Sequence, residues 1–230
     1  MADEQSEHNV EFPTNGTTAY GYLETPEGGT GPGLIVIQEW WGLTTHIADV
    51  TKRLAAEGFV ALAPDLYGNR VAHDGEEAQQ MMQELDERAA AKILSGAIDY
   101  LTGLDATTSS TVGAIGFCMG GGFVLSLAEQ AGDQVSAAVP FYGFPQGVDL
   151  EAITADVQGH YAREDQMLGI GDAREAFHRL ESRDGATTEL FEYDAGHAFF
   201  NDEDLIGTYD AEAAAQAWER ATTFLRERVR

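Results

Sequence analysis

Residues 111–122 read TVGAIGFCMGGG. Thr111–Phe117 predicts a β-strand and Met119–Gln130 an α-helix, so Gly116-Phe117-Cys118-Met119-Gly120 is the turn between them. A glycine, any residue, a nucleophile, any residue and a glycine make the sharp strand-to-helix elbow that presents a catalytic side chain, with Cys here where Ser is usual. The turn forces the nucleophile into strained backbone space and leaves little room beside it, which the flanking glycines supply. The new helix N-terminus aims free N–H groups and its dipole at the same place, which favours a thiolate and an oxyanion. A buried structural thiol in a Gly-rich turn is the plainer alternative, but the only cysteine of the chain falls on this one position.

Working outward, short β-rich runs alternate with helical patterns. Glu7–Phe12 and Thr17–Leu23 read as paired edge strands around Asn15-Gly16. Gly33–Gln38 is a continuous apolar run, the mark of a strand buried on both faces. Thr45–Glu57 has helical spacing through Ile47, Val50 and Leu54, and Phe59–Ala63 is a strand stopped by Pro64. Glu76–Leu101 is a long helical stretch with a break expected near Gly96. Strands at Val135–Phe141, Val157–Tyr161 and Glu189–Tyr193 follow, with helices at Asp172–Glu181 and Asp210–Arg228. Such alternation requires right-handed crossovers and a mostly parallel sheet covered on both faces. The expected fold is a three-layer α/β/α sandwich. The 230 residues contain no linker or repeat, so one domain over 1–230 is expected.

Composition narrows the function. With 43% hydrophobic residues, 11 Phe, 8 Tyr and 3 Trp, the chain can fill a core. One cysteine excludes an internal disulfide, and no Cys/His cluster offers a structural zinc site, so no metal and no cofactor is expected. The start, MADEQSEHNVEF, has neither a basic end nor an apolar run, and no segment is long enough to span a membrane. A cytoplasmic location is expected. Asp and Glu total 39 against 13 Lys and Arg, giving a formal charge of −26. Only Lys52 and Lys92 are lysines. Such a surface repels phosphates and anionic lipid, which argues against nucleic acid or membrane partners. Self-repulsion this large favours a high-salt cytoplasm, where it is screened within roughly 3 Å at 1 M.

A thiol nucleophile needs a base, and this elbow takes its partners in the order nucleophile, acid, histidine. Of six histidines, His8 lies in the polar N-terminus, His46 in a helix, His73 in a loop and His178 on a charged helix, while His160 reads as strand packing. His197 follows a strand in the last loop before the final helix, where a base would come down over Cys118. Asp165 is the leading acid, with Glu164 one residue away and Asp194 and Asp172 as further candidates. Glu39 ends the Gly33–Gln38 strand at the sheet edge that carries active sites in such folds. It could take the thiol proton or hold Cys118 at rest, and alone it reads equally as a solvated loop residue.

These features together resemble the dienelactone hydrolase (carboxymethylenebutenolidase) family of α/β-hydrolases. The resemblance is carried from about Gly33 onward by Gln38-Glu39-Trp40-Trp41-Gly42, by the run from Glu57 to Gly68, by the Cys118 elbow, by Phe141-Tyr142-Gly143 and by the His197 loop. It implies a Cys118–His197–Asp165 triad and a role for Glu39 at the resting thiol. It also implies oxyanion donors at the backbone N–H groups of Trp40 and Met119, and a pocket position at Tyr142. Trp41, Phe199 and Asn201 are further pocket candidates; Trp40 and Phe200 are also aromatic near the expected mouth. The sequence departs from the family where arginines grip a substrate carboxylate. Asn201 stands four residues after His197, and Asp74-Gly75-Glu76 contains no arginine. Arg70 or Arg163 could substitute. The expected partner is a small-molecule ester or lactone, opened through an acyl-enzyme. A thioesterase, or a non-enzymatic ligand or redox sensor switching on Cys118, is the alternative, and the sequence leaves the oligomeric state open.

Overall fold

A computed structural model describes residues 6–145 and 147–230. The chain forms two compact units, residues 1–112 and 113–230, with the boundary inside one long strand.

The first unit holds β1 (Val10–Pro13), β2 (Thr18–Glu24), β3 (Gly31–Ile37) and β4 (Val60–Pro64), in the spatial order β1-β2-β4-β3. β1 pairs with β2, and β2 with β4, antiparallel; β3 pairs with β4 in parallel. Every residue of β4 is buried, because α1 (Thr45–Ala56) and α3 (Glu87–Thr102) both pack on it. The long helical stretch is two helices, α2 (Gly75–Glu84) and α3, and the break lies at Leu85-Asp86 rather than at Gly96. Asp86 decides this: its carboxylate accepts the free N–H groups of Arg88 and Ala89 and starts a new helix. Gly96 continues α3 because the helix touches β1 there, and a Cβ would meet the Pro13 carbonyl at 2.9 Å.

In the second unit the C-terminal part of β5 (Thr107–Phe117) is followed by β6 (Val135–Phe141), β7 (Asp156–Ala162) and β8 (Thr188–Tyr193) in that spatial order. β6, β7 and β8 run parallel. The helices are α4 (Met119–Ala131), α5 (Ile170–Glu181) and α6 (Ala211–Arg228). Strand alternation divides β7 cleanly. Gly159 and Tyr161 face Phe177 of α5, whereas Gln158 and His160 face the side occupied by Arg220 of α6. Helices therefore cover both faces of β7, and β6 reads as a near-continuous apolar run. Among the described residues no helix is long and apolar enough to cross a membrane.

Candidate active site

β5 ends at Phe117 and α4 starts at Met119, so Cys118 stands alone between strand and helix, with φ +53° and ψ −119°. This is left-handed space that non-glycine residues enter only when their surroundings impose it. Glycine makes the close packing possible. A Cβ on Gly116 would meet the Gly120 carbonyl oxygen at 2.4 Å, and one on Gly121 would meet the Phe141 carbonyl oxygen at 2.6 Å. The Cys118 N–H donates to the Phe141 carbonyl at 3.1 Å, and its own carbonyl accepts from Gly121 N–H at 2.9 Å.

His197 Nε2 lies 3.2 Å from Cys118 Sγ, and His197 Nδ1 lies 2.7 Å from Asp165 Oδ2. The carboxylate accepts, so Nδ1 carries a proton and Nε2 is the ring nitrogen that faces the thiol. Asp165 is itself held: its Oδ1 accepts the N–H groups of Met167 and Leu168 at 2.7 and 2.8 Å. The Asp165 and His197 side chains are 2% and 8% exposed. Burial works against a charged imidazole, yet the bond to Asp165 and then the bond to Cys118 outweigh it and raise His197 to about 10.

The loops bearing Asp165 and His197 are tied to each other. Arg163 N–H donates to the Tyr193 carbonyl at 2.8 Å and Glu164 N–H to the Ala195 carbonyl at 3.1 Å. Thr208 closes the far side, its hydroxyl donating to the His197 carbonyl. Sequence reading missed Thr208, because a hydroxyl eleven residues away gives no local signal.

The other candidates fall as follows. Tyr142 is buried and packs edge-on against His197, with ring centroids 5.2 Å apart. Phe199 is buried against Tyr193, Tyr142 and Phe141, and Phe200 stacks on Phe117 and Trp218. Asn201 is 4% exposed and turns its Oδ1 onto the Glu203 N–H. Arg163 pairs with Glu192 and Asp194, and Arg70 with Glu84. Glu164 is exposed and Asp194 is engaged by Arg163, whereas Asp165 is the carboxylate on His197. His160 is fully buried between Gln158 Oε1 and Tyr193 OH, and burial lowers it to about 3, a neutral packing histidine. Glu39, Trp40 and Trp41 belong to the first unit. There Glu39 is 2% exposed just beyond β3, and the two indoles meet edge to face at 5.2 Å. Among the described residues no group of three or more His, Cys, Asp or Glu could hold a metal ion.

A cysteine at a strand-to-helix elbow, followed in order by an aspartate after β7 and a histidine after β8, has the arrangement of an α/β-hydrolase elbow. The chain belongs to the dienelactone hydrolase family, whose sequence model matches residues 19–229. It is 34% identical over 227 residues to "Protein usf" of Aquifex pyrophilus, covering 95% of this chain and 97% of that one. A relative from Aquifex aeolicus with carboxymethylenebutenolidase in its name is 31% identical over 94% of this chain and 96% of its own. The solved structure of the dienelactone hydrolase-like promiscuous phosphotriesterase P91 from metagenomic libraries superposes with a TM-score of 0.79 at 27% identity, covering 95% of this chain and 96% of that one. The protein is accordingly a hydrolase acting on ester or lactone bonds.

Proposed function

We propose that the protein opens carboxylic esters or lactones by covalent catalysis on Cys118. The observation that carries this reading is the continuous chain Sγ–Nε2, 3.2 Å, and Nδ1–Oδ2, 2.7 Å, at a helix N-terminus. His197 Nε2 takes the Cys118 proton as the sulfur attacks. Sulfur attacks the substrate carbonyl, forming a C–S bond and sending the carbonyl electron pair onto oxygen. The Met119 N–H receives that oxyanion. Collapse breaks the C–O bond while His197 Nε2 gives its proton to the leaving alkoxide. Water then gives a proton to His197 and attacks the thioester; the C–S bond breaks, and acid and thiolate are released. Asp165 holds the imidazole in the tautomer both half-reactions need.

The substrate class follows from charge and surface. Of six exposed large hydrophobic residues among the described ones, four (Met167, Leu205, Ile206 and Tyr209) lie on the two loops that hold Asp165 and His197. The arginines that could have gripped a carboxylate, Arg70 and Arg163, are already paired with acids. A neutral substrate with an apolar acyl or ring portion fits this setting better than a carboxylated lactone. We place the whole chain in one hydrolase domain, since the family match runs through both compact units. A panel of p-nitrophenyl esters, neutral lactones and acyl thioesters, assayed in molar KCl with wild type and Cys118→Ala, tests the reading. Turnover of esters by the wild type alone supports it; equal turnover by the variant overturns it.

A further inference from the structure

The segment Phe141-Tyr142-Gly143 grips the elbow from both ends of Cys118. The Phe141 carbonyl takes the Cys118 N–H at 3.1 Å. Gly143 lies so close on the other side that a Cβ there would stand 1.8 Å from the Cys118 carbonyl oxygen. Between them Tyr142, at φ +33°, packs its ring on His197. One strap thus touches both Cys118 and His197, and both Cys118 and Tyr142 hold positive φ. Strain of that kind persists only where neighbours over-determine the backbone.

The strap has an anchor that the mechanism above does not use. Tyr161 of β7 is 1% exposed, and its hydroxyl donates to the Gly143 carbonyl at 2.8 Å. Burial pushes this phenol above its ordinary value, so it remains a permanent donor. Its ring is braced edge-on by Phe177 of α5 at 5.5 Å, the same ring that fills the space over Gly159. A phenylalanine would fill the volume equally well, so packing alone does not require the hydroxyl.

We propose that Tyr161 is a positioning residue: its hydroxyl pins Gly143, and through the 141–143 strap it fixes the Cys118 elbow against His197. The proposal rests on the functional reading of Cys118 given above. Without this bond the strap is free to lift from the Cys118 carbonyl, and the thiol and imidazole lose their shared alignment.

The test compares wild type, Tyr161→Phe, Phe177→Leu and a control, Ser109→Ala. Ser109 bridges Gly33 N–H and the Thr111 carbonyl, so its loss removes a buried hydroxyl of the same kind within the other unit. Ester kcat and KM, the rate of Cys118 alkylation by iodoacetamide across pH, and Tm are measured for each. Tyr161→Phe is expected to lose about tenfold or more in kcat with KM changed by less than about twofold, since small misalignments at a reacting atom cost large factors. Its alkylation profile against pH is expected to shift from that of the wild type. Phe177→Leu, which loosens the ring but keeps the hydroxyl, is expected to move both readouts the same way by a smaller factor, and it carries the test if Tyr161→Phe does not fold. Ser109→Ala is expected to lower Tm while leaving kcat and the alkylation profile unchanged. Wild-type kcat and alkylation profiles in folded Tyr161→Phe, or in Phe177→Leu if that variant alone folds, would overturn the proposal, as would an equal loss in Ser109→Ala. If the wild type hydrolyses no ester, the functional reading fails, and the alkylation profiles still decide whether Tyr161 sets the elbow.

Discussion

Replacing Asp165 by Asn removes one charge and little else. The existing Oδ1 contacts to the Met167 and Leu168 N–H groups, at 2.7 and 2.8 Å, dictate how the amide sits. The amide oxygen keeps those two donors, because turning it away would leave two N–H groups without their acceptor, at roughly 1 kcal/mol or more each. The amide NH2 then faces His197 Nδ1, where the carboxylate oxygen now stands at 2.7 Å. Two donors cannot face each other, so Nδ1 becomes the acceptor and the proton moves to Nε2. A neutral imidazole protonated at Nε2 cannot take the proton of Cys118 or of the hydrolytic water. The charge balance changes too. Raising His197 to about 10 corresponds to about 5 kcal/mol of preference for the imidazolium, and the Asp165 bond is the largest contribution that raises it. Wrong-tautomer substitutions of this type cost about 10³–10⁴ in rate, or about 4–5.5 kcal/mol of activation free energy. Initial rates of p-nitrophenyl ester hydrolysis, followed from pH 5 to 10 alongside thermal melts (a range spanning about the ordinary and raised histidine values), give the number. A folded Asp165→Asn within about tenfold of wild-type kcat/KM at every pH would refute the reasoning.

Neutral esters should show higher kcat/KM than carboxylated analogues of the same leaving group at one fixed KCl concentration; a tenfold preference for the carboxylated member, about 1.4 kcal/mol, would contradict the assignment of Arg70 and Arg163 to their acidic partners. Changing Leu205 and Ile206 to Ser should flatten the rise of kcat/KM with acyl length, and an unchanged chain-length profile would detach that loop from substrate binding. The formal −26 charge predicts a Tm that climbs from dilute to molar KCl, and a flat or falling series would remove the high-salt reading. His197 has a raised folded-state value, so its stabilisation is complete below its unfolded value and lost as pH climbs through about 10. Over that interval unfolding free energy should fall by up to about 1.4 kcal/mol per pH unit, and more steeply in wild type than in His197→Gln; parallel curves for the two would count against the ion pair.

The sequence carried the fold wherever chemistry was local. The apolar run before Glu39, the Gly-Phe-Cys-Met-Gly turn and the last-loop histidine each declare their place through neighbours in the chain, and strand and helix boundaries mostly fall within a few residues of the structure. The break between α2 and α3 was misplaced because Gly96 is the more conspicuous residue. The capping carboxylate of Asp86 outweighs it, and packing on β1 makes the glycine useful inside the helix. Asp165 led over Glu164 in the sequence, and the structure puts Asp165 on His197 because the turn at Met167 and Leu168 captures its other oxygen. Phe199 and Phe200, pocket and mouth candidates in the sequence, are buried among other rings in the structure. Tyr161 and Thr208 left no trace in the sequence, because each acts on a carbonyl distant along the chain.

The central claim is a covalent acyl-enzyme on Cys118, and acid-quenched mass spectrometry of the protein during turnover of p-nitrophenyl acetate tests it most directly. The account predicts an acetyl adduct that forms with the burst of p-nitrophenol, maps to the peptide containing Cys118, decays as substrate is exhausted, and is absent with nitrophenol release in Cys118→Ala. Sustained wild-type turnover in Cys118→Ala, or an acetyl group that forms at turnover rate on any other residue, would contradict it.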